Sequence, residues 1–277
     1  MKSVLISQDL SCVGQVSMAV ALPVLGAAGL RTAALPTALL STHTGGFGAN
    51  TYRDLSPEIP GIMDHWASQD ISFDAVYLGY LGQEALDVWL TELPKLAGRL
   101  ILLDPAMADH GKLYRGFDAG YVARMGELAQ HAALLTPNLT EALLLLGQPV
   151  EKHERIDRKE AFEIVSLLQA KFDLDQVVLT GVPVGTAEIG IFGFSRGDGF
   201  WDSVQARVPG SYFGTGDLFA SALMAGLMHG FHLQQAAETA GAFVAKSIAK
   251  TAPDQDPRFG PNYAAALPWL LGQFLEK

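Results

Sequence analysis

Cysteine is nearly absent from this chain, with Cys12 the only one in 277 residues. Intrachain disulfides and cysteine-based zinc sites are thereby excluded, and Cys12 reads as a packed or loop thiol rather than a nucleophile. Charge is scarce too, at 17% of residues, where soluble domains carry roughly a quarter. On a chain of this length, that implies a substantial core of buried helices and strands. Positive charge is scarcest: 19 Lys and Arg face 29 Asp and Glu, for a net charge of −10. No basic cluster is longer than two residues, so no nucleic-acid partner is expected. Any phosphate ligand must be held by local dipoles, metal ions and a few side chains. Also missing is an uninterrupted apolar run of roughly 18 residues, the length that crosses a bilayer. The chain opens on a strand pattern, so the expectation is a soluble, uncleaved, cytoplasmic protein without a membrane partner. The seven histidines show no metal-ligand spacing such as H-E-x-x-H, which argues against zinc chemistry.

What is present is most informative at Gly214-Thr215-Gly216-Asp217, after the strand-like Val204 to Tyr212 and before an apolar run from Leu218 to Ala225. Two glycines let the backbone approach an anion, and N–H groups at a helix start favour negative charge there. Asp217 is the unusual member. Beside an anion site a carboxylate costs repulsion unless it serves as a general base, or it simply complements the helix dipole. Locally, both readings stand.

Around this junction the pattern alternates strand and helix. Strands are expected at Lys2 to Ser7, Leu30 to Leu35, Asp74 to Leu78, Arg99 to Leu103, Ala133 to Leu135 and Gln176 to Leu179. Helices are expected at Gln15 to Gly26, Gln83 to Leu96, Asp118 to Gln130 and Arg158 to Lys171. Ala187 to Ser195 and Phe200 to Val208, joined by Arg196-Gly197-Asp198-Gly199, form a hairpin. Helices at Asp217 to Met228, Leu233 to Lys250 and Tyr263 to Phe274 close the chain. The result is a single α/β domain over residues 1–277, a doubly wound, mostly parallel sheet flanked by helices with an antiparallel hairpin at one side.

In such a sheet, ligands bind beyond the carboxyl ends of the strands. Asp9, Tyr80, Asp104, Asn138 and Thr180-Gly181 all follow strands. Asp104 and Asp109, five apart, could hold a hydrated Mg²⁺ or be solvated loop acids. Asn138 and Glu141, three apart, also fit a helix cap with a capping-box partner. The glycine-rich stretch Ser41 to Tyr52, with His43 and Thr44, reads as a mobile loop, one that either folds over a small polar aromatic substrate or merely turns and leaves His43 solvated. Asp109 to Tyr114 reads as a mobile lid that excludes water.

Three competing motifs fail on context. Gly193 to Gly197 matches G-x-S-x-G, but Ser195 runs on into another strand instead of a helix. At Gly214-Thr215-Gly216, Phe219 occupies the third glycine of a dinucleotide fingerprint. Gly111-Lys112 lacks both the leading glycine and the Ser/Thr of a P-loop.

Taken in order, Asp104-Pro105-x-Met107-x-Asp109, Thr136-Pro137-Asn138-x-x-Glu141 and Gly214-Thr215-Gly216-Asp217 resemble the ribokinase-like superfamily, and within it the pyridoxal kinase branch. Gly111-Lys112-Leu113-Tyr114, Ser41 to Gly46 and Gly79-Tyr80 add to the resemblance, which spans Val4 to about Lys250. It implies a three-layer ribokinase-like fold and ATP-dependent phosphorylation of the 5′-hydroxymethyl group of pyridoxal, pyridoxine or pyridoxamine. By the same resemblance Asp217 is the base, and the backbone amides of Gly214, Thr215, Gly216 and Asp217 form the anion hole. Asp104, Asp109, Asn138 and Glu141 would then act around Mg²⁺ and the phosphates, some through water. Thr180, Gly181 and Thr215 would line the nucleotide site, Thr44 and Tyr80 would contact the pyridine, and Asp9 would lie near its polar substituents. A homodimer and a monovalent cation such as K⁺ also follow from the resemblance. One position departs from the branch: Gln8 is followed by Asp9 where serine is usual. That departure keeps hydroxymethylpyrimidine kinases of thiamine metabolism as the alternative, alongside a non-catalytic B6-binding sensor.

Overall fold

A computed structural model describes residues 1–150 and 155–275. The chain opens with β1 (Ser3–Ser7), β2 (Leu10–Ser11), α1 (Met18–Ala27), β3 (Arg31–Ala34), β4 (Ala38–Leu40) and β5 (Tyr52–Asp54). Then come α2 (Ile59–Ser68), β6 (Ala75–Leu78), α3 (Gln83–Glu92), β7 (Leu100–Leu103), and a short hairpin of β8 (Ala108–Asp109) and β9 (Lys112–Leu113). The middle of the chain supplies α4 (Ala119–Ala129), β10 (Leu134–Leu135), α5 (Leu139–Leu146) and α6 (Arg158–Phe172). Strands β11 (Gln176–Pro183), β12 (Glu188–Ser195) and β13 (Gly199–Ala206) precede α7 (Thr215–Met228), α8 (Leu233–Ala249) and α9 (Leu267–Leu275).

One eight-stranded sheet runs in the order β13-β12-β11-β10-β7-β6-β1-β3. From β3 to β11 the pairs are parallel, and β12 and β13 extend the sheet as an antiparallel hairpin. The strands are apolar on both faces because each face is covered. Leu5, Val76, Leu78, Ile101 and Leu103 pack under α3 to α6, whereas Val4, Ile6, Ala75, Tyr77 and Leu102 pack under α1, α7 and α8. Alternate residues thus serve opposite layers, which gives the expected three-layer architecture.

Several boundaries differ from the sequence pattern for identifiable reasons. The first helix begins at Met18, not Gln15, since Gly14 at φ 107° and Ser17 at φ 47° turn the backbone out of helical geometry. The helix expected to reach Leu96 stops at Glu92 and tightens into a 3₁₀ turn containing Pro94, which has no N–H to donate. The last helix starts at Leu267 rather than Tyr263, and β13 ends at Ala206, well short of Tyr212. A second sheet, β2-β4-β5, forms from strands too short to show a period, and helix α2, whose Ile59, Ile62, Met63 and Trp66 recur at helical spacing, was not among the expected helices. Residues 109–114 form the β8–β9 hairpin rather than a loose lid, turning through His110 and Gly111, both at positive φ.

Candidate active site

The carboxyl ends of the parallel strands and the start of α7 converge on one region. Gly214 caps α7 at φ 80°, and a Cβ there would run into the carbonyl oxygen of Gln15, so the turn demands glycine twice over. No side chain caps the helix, so the first-turn N–H groups of Thr215, Gly216 and Asp217 remain available to an anion.

Asp217 is half-buried in that first turn. Burial, helped by the charge of Asp9, pushes its pKa up to about 7, while the Ser17 backbone N–H pulls the other way. Asp9 is itself buried and accepts a 2.8 Å hydrogen bond from Ser11 Oγ. Burial raises its pKa, and hydrogen bonds from the Ser17 and Ser11 side chains offset part of that. Ser17 therefore serves both carboxylates from a strained backbone, its N–H toward Asp217 and its hydroxyl toward Asp9. Sequence reasoning missed it. A serine just before an apolar helical run was the available signal.

Asp104 follows β7 and is buried, with Oδ2 3.9 Å from where a Cβ on Gly216 would stand. Burial raises its pKa well above the carboxylate range, and the charges of Glu141 and Asp217 raise it further. Its side chain accepts no hydrogen bond from any described residue, an arrangement that a cation would relieve. Glu141, by contrast, is fully engaged. Its Oε1 accepts from the N–H groups of Met107 at 3.1 Å and Ala108 at 3.4 Å, and its Oε2 accepts from Asn138 N–H at 2.9 Å. Burial nevertheless pushes it up to about 8. Asn138 Oδ1 accepts from Glu141 N–H at 3.0 Å, completing the capping box, and Nδ2 donates to Ala108 O at 2.8 Å.

The fit to Mg²⁺ is thus uneven. Among the described residues no three His, Cys, Asp or Glu side chains form a ligand set. Asp104 suits a hydrated Mg²⁺ that takes its other ligands from water and phosphate, and Glu141 would reach such an ion through water. Asp109 lies at the hairpin tip, 53% exposed, with Oδ1 accepting from His110 N–H at 2.7 Å. The hairpin itself is tied down by Gly111 N–H to Thr140 Oγ1 at 3.0 Å.

Thr180 and Gly181 lie at an irregularity in β11, where Gly181 takes φ 65°. Thr180 bridges to Asn138 and donates its N–H to Pro137 O at 2.9 Å, which sets the two turns side by side. Thr215 Oγ1 faces Tyr212 O at 3.5 Å.

Thr44 and Tyr80 line a cavity of about 220 Å³ together with Asn50, Tyr52, Arg115 and Phe117. Tyr80 packs against Phe117, which stacks on Tyr121 with ring centroids 3.8 Å apart. Arg115 Nη2 donates to Asn50 Oδ1 at 2.8 Å across the cavity wall. Asp9 does not line this cavity, but its charge raises the pKa of both Tyr80 and Tyr52 after burial has done so, and it also acts on Asp217. Its charge therefore acts on both the aromatic wall and the candidate base. Asn50 and Tyr52 lie in the stretch expected to fold over a substrate but were not singled out within it, and nothing in the sequence signalled Arg115.

A sequence profile of phosphomethylpyrimidine kinases matches residues 25–261. The chain belongs to that family. Pyridoxal kinase from Lactobacillus plantarum superposes with a TM-score of 0.88 at 35% identity, over 99% of this chain and 98% of its own. A Bacteroides thetaiotaomicron structure obtained with pyridoxal gives a TM-score of 0.91 at 33% identity, covering 97% and 95%. The pyridoxine/pyridoxal/pyridoxamine kinase of Bordetella bronchiseptica is 28% identical over 262 residues, 86% of this chain and 85% of that protein. The fold is ribokinase-like and the chain is a kinase of the pyridoxal kinase type. Ser195, in the competing hydrolase motif, sits in a hairpin with Oγ 3.0 Å from Asp198 Oδ2. No described helix is long and apolar enough to cross a membrane.

Proposed function

We propose that the chain transfers the γ-phosphoryl group of ATP to the 5′-hydroxymethyl group of pyridoxal, pyridoxine or pyridoxamine. The observation that carries the reading is Asp217 with its pKa near 7, placed among the open N–H groups of α7. A base is most effective when its pKa lies near the working pH. Asp217 takes the hydroxyl proton, and the amides of Thr215 to Asp217 receive the charge of the transferring phosphoryl group. Mg²⁺ supplies charge neutralisation when bound, held by Asp104 and, through water, Glu141. Thr44 and Tyr80 flank the ring, and Thr180, Gly181, Asn138 and Thr215 flank the nucleotide. In this reading Asp109 stays at the rim of the metal site. A cytoplasmic homodimer assisted by a monovalent cation completes the picture.

A second substrate is favoured by a specific observation. The buried Asp9 carboxylate, whose charge acts on Tyr80 and Tyr52, is a hydrogen-bond acceptor suited to a ring-borne amine or protonated nitrogen. Hydroxymethylpyrimidine carries such groups, as does pyridoxamine. A panel of the three vitamers and hydroxymethylpyrimidine, with Mg²⁺ and ATP, decides between them. We expect a phosphorylated vitamer, and Asp9→Ser shifting preference away from amine-bearing substrates by about tenfold, the worth of one hydrogen bond to a charged group. Binding without turnover would leave a sensor, and phosphorylation of the pyrimidine alone would reassign the substrate.

A further inference from the structure

Beside Thr44 of the substrate wall, three chain segments meet in one aromatic knot. His43 is buried, with its ring centroid 4.8 Å from that of Phe213 and 4.9 Å from that of Phe47. Both its nitrogens are engaged: Nε2 lies 2.7 Å from Arg258 O, and Nδ1 accepts from Gly45 N–H at 3.2 Å. Arg258 stacks on Phe47 at 4.8 Å. The stretch expected to be mobile is therefore pinned, and its imidazole is a buried strut.

The knot joins the two halves of the site. Phe213 immediately precedes the Gly214–Asp217 turn, while Thr44 and Asn50 of the pinned loop line the substrate cavity. Contact between the halves is close, although Phe213 keeps 41% of its surface exposed. A Cβ on Gly45 would collide with the Phe213 ring, and one on Gly14 would lie 2.5 Å from His43 Cδ2. Gly45 has no positive φ, so a side chain there is opposed by the Phe213 ring and not by the backbone, and the ring would have to shift to admit it. Nothing in the phosphoryl-transfer chemistry itself calls for that ring.

We propose that Phe213 is a positioning residue: packed on His43 and Gly45, it fixes the substrate-wall loop against the anion-hole turn and so sets the distance from bound hydroxyl to Asp217. The proposal rests on the kinase reading. Misplacing reacting groups by about 1 Å costs up to roughly 100-fold in rate. The loss should fall on kcat for the vitamer and leave the KM for ATP unchanged, because the turns at Thr180 and Asn138 lie outside the knot.

Two variants disturb the contact in opposite ways. Phe213→Ala removes the ring, and Gly45→Ala keeps it but takes its space. Each is expected to lower kcat at least about tenfold with an unaltered KM for ATP, and the double variant should be no worse than Phe213→Ala alone. Unchanged kcat in both single variants, or a Gly45→Ala loss that multiplies fully onto Phe213→Ala, overturns the proposal. Hydrogen exchange separates this outcome from failure of the kinase reading. With no substrate present, both single variants should speed exchange of the Phe213 and Leu218 amides, which donate to Pro257 O and Gly214 O on either side of the turn. If neither does, the latch is refuted even where the wild-type protein phosphorylates a vitamer. If the wild-type protein phosphorylates none while exchange responds, only the substrate reading falls.

Discussion

Replacing Asp217 by asparagine separates two properties that one carboxylate holds in opposition. The folded chain raises the group from 3.8 to about 7, so the native state binds the proton more tightly than the unfolded one. For an acid with a raised pKa, stability falls as pH climbs from the unfolded value through the folded value. Between pH 5 and pH 8 that penalty grows by roughly 2 kcal/mol after allowance for the solvent that reaches a half-buried group. The neutral amide carries no such penalty. Relative to wild type, Asp217→Asn should therefore gain roughly 2 kcal/mol of stability on moving from pH 5 to pH 8, read as about 5 °C in relative Tm. Comparing two pH values cancels whatever the amide changes in packing. Removing the charge also relieves Asp104, which acts in the same direction. The same variant should lose at least about 100-fold in kcat, the smaller end of what a general base contributes. Thermal melts at both pH values and initial rates with saturating ATP test the pair. No relative gain at pH 8 would show that the fold does not resist the charge, and near-native turnover would refute Asp217 as base.

Other expectations follow from neighbouring groups. Ser17 sits at φ 47° with ψ −129°, a region in which non-glycine residues are strained by about 1–3 kcal/mol. Denaturant melts should therefore show Ser17→Gly more stable than Ser17→Ala, and the reverse order would mean the strain is negligible. Glu141→Gln turns an N–H₂ toward one of the backbone N–H groups that its two oxygens now satisfy. That should destabilise the fold by roughly 1–3 kcal/mol, measured as a lowered denaturant midpoint with an unchanged slope.

The layer order was legible because it depends on features a sequence displays directly. Strands such as Val4 to Ser7 and Leu100 to Leu103 are buried on both faces and read as apolar runs, and the hairpin at Arg196 to Gly199 announces itself by its turn residues. The polar residues after those strands were legible too, since their position follows from the topology. What stayed hidden depends on tertiary contact. The strands β2, β4 and β5 are two or three residues long, too short for any period to show. Likewise Tyr52 and Arg115 reach the cavity from segments whose composition is that of ordinary loops.

His43 shows why a local reading can invert. A histidine among glycines and threonines looks solvated, because small residues and turns are what surface loops contain. Those glycines instead mark close approach: Gly14, Gly45 and Gly46 each face a side chain of the knot where a Cβ would otherwise stand. Glycine frequency alone cannot distinguish freedom from crowding, since the missing Cβ serves both. The distinction lies in φ. Gly46 at 80° needs glycine for its backbone, whereas Gly45 needs it only for the ring above it. The loop that composition makes look mobile is held by the contacts those glycines permit, and the wall that it supplies to the site is fixed for the same reason.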